Sequence, residues 1–205
     1  MILDKPLFSK SGKLVLMPRT SADDEAVARL RMIPSTRKFM VGLPKKITAE
    51  TVRRAREAGV NDPTRLQFAI YTTGTNGAPV DFVGETSLYM IDHERSCSCE
   101  AGIVVRPEYF GKAFATDAMY TLLGYVYDVM KIHRVYLYTD TRNKATQAWA
   151  ERGGWKLEGI ARDVTPLENG RYQDECQYSL LETDWRSHTK AWMERNGEVG
   201  SVARL

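Results

Sequence analysis

The stretch Ile103-Val104-Val105-Arg106-Pro107-Glu108-Tyr109-Phe110-Gly111-Lys112-Ala113-Phe114-Ala115-Thr116-Asp117-Ala118 decides how the chain is read. Three β-branched residues predict a strand, a turn centres on Gly111, and an amphipathic helix follows at once. That helix carries Ala115, Ala118, Met119, Leu122, Val126 and Met130 on one face. The first amides of a helix have no partner within it, and the helix dipole adds partial positive charge at the same end. Such a junction suits a phosphate or pyrophosphate. Gly111, Ala113 and Ala115 are small enough to let a bulky anion approach the backbone. Two other phosphate loops fail on these letters. A Walker A loop wants Gly where Arg106 stands and Ser or Thr where Ala113 stands, and a dinucleotide fingerprint wants two glycines more than Gly111. An ordinary strand–turn–helix junction without a ligand is the alternative.

Two later blocks extend the pattern. Asn143-Lys144-Ala145-Thr146 is followed by Gly153-Gly154-Trp155 and Leu157-Glu158-Gly159, and then Asn169-Gly170-Arg171-Tyr172-Gln173-Asp174 leads to Asp184-Trp185. In their order and spacing these blocks resemble the GCN5-related N-acetyltransferase superfamily, within it the ribosomal-protein alanine acetyltransferase branch. The acetyl-coenzyme A loop of that family, Q/R-x-x-G-x-G/A, lies on Glu108-Tyr109-Phe110-Gly111-Lys112-Ala113. The second block is similar to its Asn-x-x-Ser, Leu-Gly-Phe and Glu-Gly sequence. The resemblance implies an N-acetyltransferase domain over residues 13–186 and a polar C-terminal tail over 187–205. It also implies an α/β fold: one mixed central sheet of about seven strands flanked by helices, its fourth and fifth strands parallel but splayed. Two departures stand out. Glu108 places a negative charge where the family has Gln or Arg, with Lys112 near enough in sequence to offset it, and Gly153 replaces a Leu, weakening a packing contact.

Length and composition agree with one catalytic domain. The 205 residues can bury a sizeable core, and 43% apolar with 27% charged residues is ordinary for a soluble globular chain. Met1-Ile2-Leu3-Asp4-Lys5-Pro6 has no basic region before an apolar run, and no run reaches the length of a membrane span. A cytoplasmic location is the expectation. Cys97, Cys99 and Cys176 read as free thiols in a reducing compartment, and with His93, His133 and His188 they lack metal-site spacing.

The periodicity predicts strands over 14–17, 66–71, 80–91, 97–105, 134–139, 155–162 and 172–181. Helices are expected over 21–33, capped by Ser21 and ended by Pro34, over 48–58, after Gly111, and over 144–152. After Trp185 the sequence is polar and unpatterned, which predicts a short helix at most and then a frayed tail. This mixed order argues for an α/β sandwich on one sheet.

The resemblance implies that splayed strands leave the backbone of Ile103, Val104 and Val105 to bond the pantetheine arm. The pyrophosphate would then lie on Phe110, Gly111, Lys112, Ala113, Phe114 and Ala115. An attacking amine must be neutral, so a base helps. Glu100 and Glu85 are the candidates, each a carboxylate among apolar neighbours where burial raises the pKa. A solvated or salt-bridged role is the alternative for both. Alternation puts Glu100 on one face with Gly102 and Val104, and Glu85 with Ser87 and Tyr89. The oxyanion wants a backbone N–H near Val104. By resemblance Thr146 is the proton donor to the leaving thiolate, with a plain helix-start role as its alternative. Asn143 matches the family Asn that bonds pantetheine or holds the loop, and an Asn in a turn can instead bond its own backbone.

Residues 29–57 hold nine Lys and Arg against Glu50 and Glu57. A basic wall of this kind suits an acidic acceptor, a ribosomal surface or the 3′-phosphate of coenzyme A, and a solvated helix surface is the alternative. The leading function is acetylation of a primary amine, a protein N-terminus or a small molecule, from acetyl-coenzyme A. The second is a catalytically silent acetyl-coenzyme A-binding module. A nucleic-acid-binding role ranks last, because aromatics are not interleaved with the basic residues. The resemblance also admits a homodimer.

Overall fold

Alternating apolar runs fold into one sheet whose two faces have different chemistry. The computed structural model describes residues 5–40, 42–167 and 170–197. Met1 to Asp4, Asn169 at the tip of the expected hairpin, and residues 198–205 of the expected tail lie outside the described residues. The strands are β1 (Leu7–Phe8), β2 (Leu14–Pro18), β3 (Leu66–Thr73), β4 (Pro79–Asp92), β5 (Ser98–Val105), β6 (Arg134–Asp140), β7 (Lys156–Pro166) and β8 (Tyr172–Leu181). They pair in the order β1-β2-β3-β4-β5-β6-β8-β7. The short β1 takes the count to eight and shifts the splayed pair to β5 and β6.

Every neighbouring pair is antiparallel except β5 and β6. Those two run parallel and pair only at Ser98–Arg134, Cys99–Val135 and Glu100–Tyr136. Beyond Glu100 they part, so residues 101–105 keep β4 on one side and, among the described residues, have no strand on the other.

Side-chain alternation separates the faces. Leu16, Phe68, Ile70, Leu88, Ala101, Val135, Tyr178 and Leu180 form one buried face, packed against α4 (Phe114–Gly124) through Ala118, Met119, Leu122 and Leu123. A π-helical turn, Tyr125–Val129, continues α4. The second face is covered only in part. There α1 (Asp24–Met32) and α3 (Ala49–Gly59) join through Val27, Ala28 and Val52, with Phe82 against them. Between them α2 (Pro34–Arg37) is a single turn, begun by the Pro34 that stops α1.

The C-terminal expectation needs correcting. Three consecutive segments, α6 (Glu182–Asp184), a π-helical turn Trp185–Thr189 and α7 (Lys190–Asn196), make one helical stretch. Trp185, Thr189 and Met193 are buried, four residues apart, and Trp185 stacks on Tyr127 at 5.6 Å between ring centroids. This stretch also covers the Gly153–Gly154 turn. A Cβ on Gly153 would stand 3.3 Å from Trp192, and one on Gly154 only 2.7 Å from His188. The Leu missing at position 153 is thus replaced by a neighbouring helix. Among the described residues no helix is long and apolar enough to cross a membrane.

Candidate active site

The expected phosphate turn forms where the fork opens. Pro107–Tyr109 is a 3-10 turn, Gly111 has φ +69° and Ala113, the residue before α4, has φ +64°. A Cβ on Gly111 would meet nothing within 4 Å, so the left-handed backbone rather than space selects glycine there. The Phe110 and Lys112 amides bond back to the carbonyls of Pro107 (3.0 Å) and Tyr109 (3.4 Å). Those of Gly111, Ala113, Phe114, Ala115 and Thr116 find no acceptor among the described residues. Left-handed residues beside a helix start turn successive amides to one side, which makes an anion cradle. Phe110 and Lys112 are exposed at its rim, and Phe114 packs edge-on against Tyr109 at 4.7 Å. Glu108 turns to Arg106 (3.0 Å); its own backbone amide, then Arg106 and Lys112, hold its pKa below the usual carboxylate range. Its charge is therefore engaged beside the cradle.

The strand edge leading to this cradle is also unmet. Arg106 donates its amide to the Val83 carbonyl at 2.8 Å. Alternation along the antiparallel pair then turns the Val104 amide toward β4 and those of Ile103 and Val105 into the gap. The Val104 amide is thus turned away from the gap, and those of its two neighbours face it. Buried amides without partners are costly, so this edge is open to a ligand with backbone-like donors and acceptors.

On the far side of the gap α5 (Lys144–Arg152) begins after β6. Asn143 caps it, its side-chain oxygen accepting the Thr146 amide at 3.3 Å. The local alternative for Asn143 is therefore realised in this structure. The Thr146 side chain is half-buried in the first turn. Trp149 donates its indole N–H to Thr116 Oγ1 (3.1 Å), tying α5 to the start of α4. Arg142 bridges Asp140 (2.6 Å) and Gln173 (2.6 Å), fixing the turn that presents α5.

The two candidate bases share the partly covered face but differ in company. Glu85 is buried, with Arg31 bidentate upon it at 2.6 and 2.9 Å and Arg19 at 3.4 Å. Burial pulls the Arg31 pKa down, and the hydrogen bond and charge of Glu85 outweigh that pull. Arg19 also reaches Asp24 (3.3 Å), which is bound by Arg56 (2.9 Å). The salt-bridged alternative for Glu85 is the one this geometry displays, because its oxygens already hold guanidinium groups. Glu100 is half-buried at the fork, between Tyr89 and Tyr136. Burial first, and then the charge of Glu175, raises its pKa. Glu175 is a further floor residue that sequence reading missed; Glu175, Gln177 and Ser179 alternate onto one face, but the β8 register that brings them near Glu100 is not local information.

The basic wall is largely spoken for. Arg29 pairs with Glu25, Arg53 and Arg54 with Glu50, and Arg56 with Asp24, while Arg37 donates to main-chain carbonyls. Among the described residues no group of three or more His, Cys, Asp or Glu is placed to hold a metal ion.

Residues 13–156 match the family model described as an acetyltransferase (GNAT) domain. The chain belongs to the GNAT acetyltransferase family. One relative is the "Putative ribosomal N-acetyltransferase YdaF" of Bacillus subtilis, 32% identical over 50% of this chain and 55% of that protein. Another is spermidine N(1)-acetyltransferase of Vibrio cholerae, 28% identical over 64% of this chain and 72% of that one. The chain thus matches only about half the length of the first of these relatives. A crystal structure of the Vibrio cholerae spermidine N-acetyltransferase in complex with CoA and spermine superposes with a TM-score of 0.75. It is 20% identical and covers 85% of this chain and 99% of that one.

Proposed function

We propose that this chain moves an acetyl group from acetyl-coenzyme A to a primary amine by direct attack in a ternary complex. The observation that carries this reading is the fork. Among the described residues, partnerless amides of Ile103 and Val105 run into the five partnerless amides between 111 and 116, an edge suited to pantetheine ending in a cradle suited to pyrophosphate.

Acetyl-coenzyme A, when bound, supplies the thioester that the amine attacks. The amide of Ile103 or Val105 donates to the carbonyl oxygen as charge builds there. Glu100, directly or through water, accepts the proton that the amine loses. Its raised pKa brings it nearer to neutral pH, where a base works best. The Thr146 hydroxyl donates to the departing thiolate and regains a proton from solvent. The N–C bond forms as the C–S bond breaks, so acetylated amine and free thiol leave in equal amounts.

The floor favours a cationic acceptor. Glu100 and Glu175 lie with Tyr89, Tyr136 and Tyr138 on one face, where carboxylates and ring faces attract ammonium groups. A polyamine or a protein N-terminus fits better than the acidic acceptor that the basic segment suggested, since most of those cations already have partners. An amine-panel assay that reads acetylated product by mass and thiol release together tests this. Equal product and thiol with cationic amines support it. Tight acetyl-coenzyme A binding without product from any amine would favour the silent binding module.

A further inference from the structure

Between α2 and α3, Gly42 lies against the far edge of the sheet. A Cβ on Gly42 would lie 3.6 Å from the Thr165 methyl in β7, so the segment reaches the far edge. Thr165 donates its hydroxyl to Glu175 at 2.8 Å, which joins this contact to the floor. Among the described residues, the segment has no helix or strand of its own between α2 and α3. Its hold comes from Arg37, whose guanidinium donates to the carbonyls of Arg31 (3.3 Å), Leu43 (3.4 Å) and Pro44 (2.8 Å). Beside it the Ile47 amide donates to the Met32 sulfur at 3.4 Å. The residue at the base of this latch is Arg31, fixed by Glu85.

We infer that Arg37 is a positioning residue for the acceptor. Through the Leu43 and Pro44 carbonyls it holds residues 42–47 as a roof on the Glu175 side of the floor, and Glu85 steadies the latch through Arg31. The inference rests on the amine-acetylation reading. A planar guanidinium, its five N–H donors spread over three nitrogens, spans carbonyls from the end of α1 and from the roof; a lysine gathers its three donors on one nitrogen and spans less. Two of the three carbonyls that Arg37 bonds, those of Leu43 and Pro44, belong to the roof. Thr36 beside it is buried, which fixes where Arg37 starts.

The test compares Arg37→Met and Arg37→Lys with the parent chain. For Arg37→Met the KM for the acceptor should rise about 10-fold while kcat stays within about threefold. The Kd for acetyl-coenzyme A, by calorimetry, should stay within about twofold, since the cradle lies elsewhere. Trypsin should cut after Lys45 and Lys46 about 10-fold faster, because the roof opens more often. Arg37→Lys should recover part of each change. An acceptor KM equal to the parent's, or an acetyl-coenzyme A Kd rising in step with it, would overturn the assignment. Should the parent acetylate no amine, the activity reading fails by itself and trypsin still decides. Faster cleavage sustains the latch, and equal cleavage removes it.

Discussion

Glu85 and Glu100 leave neighbouring strands on the same face of the sheet, four residue pairs apart along the β4–β5 ladder, and they do opposite things. Around Glu85 the sheet is roofed by α1, and three arginines and two acids share a buried network from Arg31 to Arg56. Around Glu100 β6 has begun to peel away, and the charge that acts on it is another carboxylate. One carboxylate is fully committed to holding elements together. The other is left raised in pKa beside a gap. Coverage by arginines, rather than strand or residue type, makes the difference.

The largest effect should come from breaking the committed half. Glu85→Gln removes one of two acids facing Arg19, Arg31 and Arg56, and Arg19 Nε already lacks a partner in its buried place. Removing one member of a buried pair typically costs about 3–5 kcal/mol, because the other charge stays uncompensated. Chemical denaturation of Glu85→Gln should show a loss of that order. A loss under about 1 kcal/mol would mean that the network behaves as a solvated surface cluster.

The open half should lose rate instead. Glu100→Gln should lower kcat/KM for the amine about 100-fold near neutral pH, the lower end for removing a general base. The deficit should shrink at high pH, where neutral amine is already plentiful. A rate ratio constant across pH would leave water as the proton acceptor. Thr146→Ala should cost less, about 10-fold in kcat and kcat/KM together, and Thr146→Ser should keep most activity. Unchanged turnover in Thr146→Ala would reduce the residue to a helix-start role.

The contrast between the two carboxylates was out of reach of the sequence for a simple reason. Arg31 and Arg19 lie 54 and 66 residues from Glu85, and no local pattern links them. What was legible was local: the turn at Gly111, the helix after it, and the Asn143 block, where a left-handed backbone or a cap must fall on particular letters. The C-terminal helix carried a signal, since Trp185, Thr189 and Met193 recur every four residues. That signal was diluted by the polar residues between them and by a buried threonine in the apolar stripe. The register that sets Glu175 near Glu100 depends on how β8 inserts between β6 and β7, a long-range choice.

The smallest prediction is the sharpest, because one substitution type should give opposite signs at the two sites. The Glu100 pKa is raised in the folded chain, so its protonated form is the one that folding favours. Its contribution to stability is therefore complete below the unfolded carboxylate pKa and is lost as pH rises through the folded value. At pH 7 the parent carries a charged, half-buried carboxylate facing Glu175, and the neutral amide of Glu100→Gln does not. Glu100→Gln should then be slightly more stable than the parent at pH 7, by a few tenths of a kcal/mol (~0.3) once solvent screening is allowed for. The gap should close near pH 4, where the parent carboxyl is itself mostly protonated. Glu85→Gln should be destabilised at pH 7, since there the amide discards an ion pair rather than a repulsion. Paired denaturation curves at pH 4 and pH 7 measure both. If Glu100→Gln loses stability at pH 7 as Glu85→Gln does, then Glu100 has a cationic partner, and the floor is not held open for an acceptor.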